Sequence, residues 1–318
     1  MFYQLLTLLL LQINPLSQWQ PKVEHIQQRR MEIAFGQYSG ITRIGEDVYA
    51  VVHDKAKGGG LFIFTINMLP DGTIGTVHAF EVDSDGAKGR DNEDLVYVKE
   101  TGTLFIASEA DQSVREYSLD GKETGRELRI PQEFTKNKDN LGFEALGYAD
   151  GLFWTTTEVP LPDEDLHRLQ SFHLSTLAPY RQYSYKADSP TVSESNISRA
   201  MAHVSGISAI TALPRGKLLV LEREVYVPDG DFIEKMSSSF TLTSIYMVDP
   251  AHDKSSPLKK TLLTRFYTSA MNLANFEGMC LGPKLQDGRQ TILLIADSQD
   301  GSKGLTGEYI RVIAVSSL

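Results

Sequence analysis

Apolar residues in this chain fall in short dense runs rather than at the three-and-four spacing of an amphipathic helix. The runs include Val48-Tyr49-Ala50-Val51-Val52, Leu61-Phe62-Ile63-Phe64, Leu104-Phe105-Ile106-Ala107, Leu152-Phe153-Trp154-Thr155, Leu218-Leu219-Val220-Leu221 and Ile292-Leu293-Leu294-Ile295. Each has the length of a strand buried on both faces. Each is bounded by turn residues such as Asp71-Gly72, Thr101-Gly102, Asp150-Gly151, Arg215-Gly216 and Asp287-Gly288. The pattern predicts an all-β chain, with less than about a tenth of its residues helical.

The runs also repeat. Five segments share one order: a short turn, a small apolar strand, a Gly-containing turn, a second apolar strand, then an acid. They read Ser39-Gly40-Ile41 to Asp54, Asn92-Glu93-Asp94 to Glu109, Phe143-Glu144-Ala145 to Glu158, Ser205-Gly206-Ile207 to Glu222, and Phe276-Glu277-Gly278 to Asp297. The landmarks lie 14, 16, 14, 16 and 20 residues apart. That length suits two antiparallel strands and their connection, so the start of the first strand and the end of the second return to one edge. A third strand follows each unit, at 61–66, 114–119, 171–174, 244–248 and 310–315. Repeats built only of strands imply a β-propeller, whose blades bury their faces on one another. Five units read as five blades, and the wider spacing of the later units leaves room for a sixth. A two-domain β-sandwich is the rival, but no linker-like shift in composition divides residues 18–318. They read as one domain, with the polar stretch 188–199 as an excursion between blades.

Placed radially, the units aim eight carboxylates at one rim: Asp54, Glu93, Glu109, Glu144, Glu158, Glu222, Glu277 and Asp297. Acids are 41 of 318 residues, so carboxylates at strand ends are common as solvated or turn-capping groups. As a set on one rim they repel one another and call for a cation. Calcium fits best, because it takes six to eight oxygen ligands in flexible geometry. Asn92, Asn140 and Asn275 offer neutral oxygens. Zinc fits poorly, with one cysteine in the chain and no histidine pair at helix spacing. Arg223 beside Glu222, and Arg90 beside Asp91-Asn92-Glu93, are the candidates for gripping an anionic substrate. A serine hydrolase is disfavoured, since no Gly-x-Ser-x-Gly elbow occurs. His203 is within reach of the rim in sequence, although a polar loop position is its simpler reading.

Composition narrows the rest. The balance of 31 basic against 41 acidic residues, net −10, argues against nucleic-acid binding. The lone Cys280 excludes an internal disulfide and sits in an apolar strand-like run. The run Leu5-Leu6-Thr7-Leu8-Leu9-Leu10-Leu11 is far too short to cross a bilayer, so no membrane span is expected. Its length matches the apolar core of a secretory leader. Residues 1–17 are read as one, although no Lys or Arg precedes the run.

Several of these segments taken in order resemble the esterase-like activity of phytase family. They are Gly142-Phe143-Glu144-Ala145-Leu146, Thr157-Glu158-Val159-Pro160-Leu161, Gly206-Ile207-Ser208, Leu219-Val220-Leu221-Glu222-Arg223-Glu224, Asn275-Phe276-Glu277-Gly278-Met279 and Leu294-Ile295-Ala296-Asp297-Ser298. The resemblance runs over most of the chain and implies a bacterial, secreted or periplasmic propeller linked to phosphate-ester hydrolysis. The resulting expectation is a calcium-assisted hydrolase of phosphate esters, monomeric and acting on a small anionic ester. Glu144, Glu158 and Arg223 are its candidate catalytic residues. Asp54, Glu93, Glu109, Glu222, Glu277 and Asp297 are its candidate metal ligands, and Arg90 and Arg223 its substrate binders. The alternatives are a calcium-dependent lactonase or carboxylesterase and a non-catalytic binding propeller. Several bases around the mouth would favour phosphate, and few would favour a lactone or carboxylic ester.

Overall fold

The computed structural model describes residues 21–33, 36–54, 60–84, 90–136, 142–298, 305–316 and 318. The leader expected at 1–17 and the candidate oxygen donor Asn140 lie outside the described residues. Twenty strands among the described residues form five four-stranded antiparallel sheets. The first strand, β1 (Val23–Arg30), belongs to the last sheet. Blade one is β2 (Tyr38–Arg43), β3 (Val48–His53), β4 (Leu61–Met68) and β5 (Ile74–Val82). Blade two is β6 (Asn92–Val98), β7 (Thr103–Ser108), β8 (Ser113–Tyr117) and β9 (Glu123–Glu127). Blade three is β10 (Phe143–Ala149), β11 (Leu152–Thr157), β12 (His167–His173) and β13 (Pro179–Tyr185). Blade four is β14 (Ala200–Ala212), β15 (Leu218–Pro228), β16 (Phe240–Val248) and β17 (Thr261–Ser269). Blade five is β18 (Asn275–Lys284), β19 (Gln290–Asp297), β20 (Tyr309–Val315) and β1.

The expected five-blade propeller is therefore the fold. The wider spacing of the later units is taken up by long hairpins and by α1 (Glu194–Ile197) and α2 (Phe232–Ser238). The first strand of each blade faces its counterparts in a closed ring, β2 to β6 to β10 to β14 to β18 and back to β2. Between blades the apolar runs interlock. Phe105 of blade two meets Phe153 of blade three with ring centroids 4.5 Å apart. Leu219 and Leu221 of blade four pack with Phe276, Met279 and Leu294 of blade five. Cys280 is buried among such residues, as expected of a small hydrophobe. The ring is closed by hydrogen bonds: β1 pairs with β20 from Val23↔Val315 to Arg30↔Tyr309, so the two ends of the domain share one sheet.

Crowding of five inner strands around one axis leaves little room for side chains. A Cβ on Gly206 would lie 2.2 Å from the Glu158 carbonyl oxygen, and one on Gly278 would lie 2.7 Å from that of Ser39 and 2.6 Å from Ile295 Cγ2. The contacts with the Glu158 and Ser39 carbonyls cross from one blade to the next, so glycine sets how closely the inner strands approach. Asp94 adds a polar tie. Its buried carboxylate accepts from the Leu95 and Leu146 amides, each at 2.8 Å, linking blades two and three. We expect Gly278→Ala to lower the unfolding free energy by about 1–3 kcal/mol through overpacking, measured from the urea midpoint. An unchanged midpoint would show that the approach of β18 to β2 does not limit the ring.

Candidate functional site

One irregularity recurs on the first strand of every blade. The register with the second strand slips between Tyr38 and Ile41, Asn92 and Asp94, Phe143 and Ala145, Ile207 and Ala209, and Phe276 and Gly278. Each slip is a β-bulge, which leaves residues unpaired and re-aims a side chain. In blades two, three and five the bulged residue is Glu93, Glu144 or Glu277, and all three line the mouth of the central channel. In blade four the bulge holds Ser208, buried and hydrogen-bonded to the Phe276 carbonyl at 3.2 Å.

A second layer comes from the end of the second strand. The amides of Asp54, Glu109 and Glu158 donate to the carbonyls of Gln37, Asp91 and Gly142, at 2.9, 2.9 and 3.1 Å. The same closing bond thus sets three carboxylates at the same place in blades one to three. In blade five Asp297 pairs with Asn275 and bridges to Gln37. Register fixes the equivalent residue in blade four. Ile207 pairs with Glu222 just as Phe143 pairs with Thr157, so the residue after Glu222, namely Arg223, occupies the carboxylate position. One layer of the mouth therefore carries four acids and one arginine.

The electrostatics follow from that exchange. Arg223 is buried, and its Nη2 lies 2.9 Å from Glu158, 2.9 Å from Glu277 and 3.2 Å from Glu144. Burial opposes the guanidinium charge, but Glu277, Glu158, Glu144 and Asp297 overcompensate and hold it well above its ordinary value. The acids remain in excess. Burial pushes Glu277 up to about 8, with Asp297 adding to the rise and Arg223 opposing it. Glu93 and Glu144 are likewise held well above the ordinary carboxylate range. For Glu93 the causes are burial and then Glu144, Asp54, Glu277 and Glu109. For Glu144 they are burial and Glu158, partly offset by Arg223. Two triplets, Asp54-Asp91-Glu93 and Glu93-Glu109-Glu144, each bring three carboxylate oxygens within 4.8 Å of one another. Such all-oxygen sets suit a hard cation.

Of the expected site residues, Asp54, Glu93, Glu109, Glu144, Glu158, Glu277 and Arg223 line one cavity of ≈ 430 Å³ at the mouth. Asp297 is fully buried beside Glu277 rather than on the cavity wall. Two expectations are corrected. Glu222 points away from the channel because neighbouring strand residues face opposite sides. Its carboxylate accepts from Tyr185 Oη, the Asp188 amide at 2.8 Å and Lys260 Nζ at 2.6 Å, which fastens the start of the 188–199 excursion. Arg90 is spent within blade two, 2.7 Å from Glu123 and 3.5 Å from Asp111, so it is not on the mouth. Two acids escaped the repeat pattern, of which Asp91 belongs to a triplet and Glu308 lies near Asp297. Asp91 joins a triplet from a left-handed turn (φ 56°), a conformation Asp tolerates. Glu308 is buried and raised to about 8, mainly by burial. Asn275, expected as an oxygen donor, lines the cavity with its Nδ2 donating to Glu277 at 2.8 Å. His203 also reaches the cavity wall, where its Nε2 meets Glu224 at 3.1 Å. Much of the remaining wall is apolar, with Val159, Val204, Val225, Val227, Leu273 and Leu305, interrupted by Ser205, Thr241 and Thr306.

A family model described as phytase-like, with esterase-like activity of phytase, matches residues 33–299. No curated protein matches the chain. Similar solved structures include the catalytic domain of the Coprinopsis cinerea GH62 alpha-L-arabinofuranosidase, at 10% identity, covering 93% of this chain and 97% of that one with a TM-score of 0.48. The Malassezia sympodialis allergen Mala s 1 is 12% identical, with coverage of 91% and 96% and a TM-score of 0.47. The Dos1 propeller is 10% identical, with coverage of 87% and 68% and a TM-score of 0.38.

The raised carboxyls make stability depend on pH with a definite sign. Glu93, Glu144 and Glu277 bind protons more tightly folded than unfolded, so their contribution is complete below about 4.5 and is lost as pH rises through their raised folded-state values, which for Glu277 is about 8. In chelator the melting temperature should therefore fall between pH 5 and pH 8, and calcium should remove most of the fall. Glu93→Gln should melt higher than wild type in chelator yet lose the response to calcium. A wild-type melting curve indifferent to both pH and calcium would contradict this electrostatic picture.

Proposed function

The chain belongs to the phytase-like family, and from that premise we propose that its acidic mouth is the active site of a cation-dependent ester hydrolase, with calcium as the cation. The observation that carries the reading is the pair of carboxylate triplets sharing Glu93, which is buried and raised further by its neighbours Glu144, Asp54, Glu277 and Glu109. Asp54, Asp91, Glu93, Glu109 and Glu144 are the residues that would hold the cation, all through oxygen as calcium prefers. A divalent cation bound there would polarise the ester carbonyl and acidify an attacking water. Arg223 holds Glu144, Glu158 and Glu277 in place and offsets part of their charge. Glu277, poised near neutral, is suited to carry a proton to the leaving alkoxide. Secretion or a periplasmic location belongs to the same reading, since weak calcium modules work outside the cell at about 10⁻⁴–10⁻³ M.

The substrate follows from the wall of the cavity. Arginine and lysine are represented among its described lining residues by Arg223 alone, whose Nη2 already meets three carboxylates. A phosphate ester would bring further negative charge into this mouth, whereas a neutral carboxylic ester or lactone would not. The apolar side formed by Val225, Val227, Leu273 and Leu305 supports the neutral ester as well. A phosphate ester is the second reading, favoured by the description of the family.

Purified full-length protein, stripped with chelator and then given calcium, should be assayed on p-nitrophenyl butyrate, γ-nonalactone and p-nitrophenyl phosphate. We expect calcium-dependent turnover of the butyrate or the lactone, with kcat/KM reduced at least about tenfold in Glu93→Gln. Turnover of the phosphate alone would establish the second reading. Absence of turnover on all three, with no calcium response, would return the molecule to a binding propeller.

A further inference from the structure

On the side of the mouth shared by blades four and five, four buried polar atoms have no hydrogen-bond partner among the described residues: Arg223 Nε, Thr241 Oγ1, Thr243 Oγ1 and Asn275 Oδ1. Their residues are only 6%, 0%, 0% and 4% exposed. Register explains why they gather. Arg223 pairs with Thr243 and Val225 with Thr241 across β15 and β16, so these side chains share one face of blade four. That face turns to blade five, where Leu219 and Leu221 on the same side of β15 pack against Phe276. Asn275 opens β18 on the opposing blade, and its Nδ2 bond to Glu277 leaves Oδ1 as the unmatched atom. Arg223, Thr241 and Asn275 all line the mouth cavity.

Folded proteins rarely leave even one such atom unmatched, and each costs free energy while it remains so. Three of the four can donate: the guanidinium N–H and the two hydroxyls. A cation is the wrong complement for a guanidinium. A phosphate is poorly matched where that guanidinium is already surrounded by three carboxylates. A neutral oxygen acceptor on an apolar body fits, because Val225, Val227, Leu273 and Leu305 continue the same wall. We infer that blades four and five form a subsite for the acyl half of a neutral ester or lactone. The carbonyl oxygen meets Arg223 Nε and Thr241 Oγ1, and the carbon chain lies along the valine and leucine wall. The cation triplets draw on blades one to three, so the organic and ionic halves of the site come from different blades. This inference rests on the ester-hydrolase reading for its chemistry and on the unmatched atoms for its place.

The test uses full-length protein in chelator with γ-nonalactone as the probe, followed by thermal shift and calorimetry, so that binding is read without turnover. Wild type should bind the lactone. Thr241→Val should melt at or above wild type, because no hydrogen bond is lost, and should bind the lactone about tenfold more weakly. Thr241→Ser, which keeps the hydroxyl, should retain wild-type affinity. A Thr241→Val variant that melts several degrees lower with unchanged lactone affinity would make the hydroxyl structural and overturn the subsite, as would a wild type that does not bind the lactone. The two readings fail separately. Lactone that binds through Thr241 but is never hydrolysed would sink the hydrolase and keep the subsite. Calcium-dependent ester turnover with KM indifferent to Thr241→Val would do the reverse.

Discussion

Six buried carboxylates, Asp54, Glu93, Glu109, Glu144, Glu158 and Glu277, line the channel mouth, with Asp297 buried beside Glu277 and Arg223 as the one guanidinium among the described lining residues. Two unit charges 4 Å apart interact by about 4 kcal/mol at the effective dielectric of a protein site. The set therefore cannot be fully ionised without further positive charge. The structure answers in two ways. Arg223 neutralises the side formed by Glu144, Glu158 and Glu277, while Glu93, Glu144 and Glu277 retain protons well above the ordinary range. The Asp54-Asp91-Glu93 triplet, drawn from blades one and two, is where the proposed cation would sit.

The propeller makes such crowding possible because the ring resists expansion. Inner strands in contact through glycine, with β1 locked into the last blade, prevent the mouth from opening to relieve repulsion. Bulges then turn glutamates inward at a place where a regular strand would have alternated past the axis. Blade four departs from its neighbours in both layers, with Ser208 at the bulge and Arg223, midway along the longer β15, in the carboxylate position. Its long hairpin also supplies much of the apolar wall. One divergent blade gives an otherwise acidic ring a charged anchor and a greasy side.

The repeat was legible because the second strand of each blade is buried on both faces and reads as an uninterrupted apolar run. The outer strands were not. Every residue of β9, Glu123–Glu127, is exposed, and such a strand carries no apolar signal. The closure of β1 on β20 joins residues nearly 300 positions apart, from Val23 to Val315, which no local pattern reports. Within the site, most of the acids were legible from their landmarks. The error at Glu222 was a slip of one residue. Because side chains alternate along a strand, that slip moved the assignment to the opposite face and hid the equivalence of Arg223. Arg90 misled for a different reason: adjacency to Glu93 in sequence said nothing of Glu123 and Asp111, which claim it in space. The unmatched hydroxyls of Thr241 and Thr243 belong to a third strand and carry no signal until cross-strand register is known.

The central claim is that protons on buried carboxyls stand where a cation would otherwise be. Calorimetric titration of calcium into the cation-free protein at pH 7, repeated in buffers of different ionisation enthalpy, tests it directly. The account predicts saturable binding whose apparent heat changes with the buffer, because Glu93, Glu144 and Glu277 must release protons as the cation enters. Binding with the same heat in every buffer, or no binding at millimolar calcium, would contradict it.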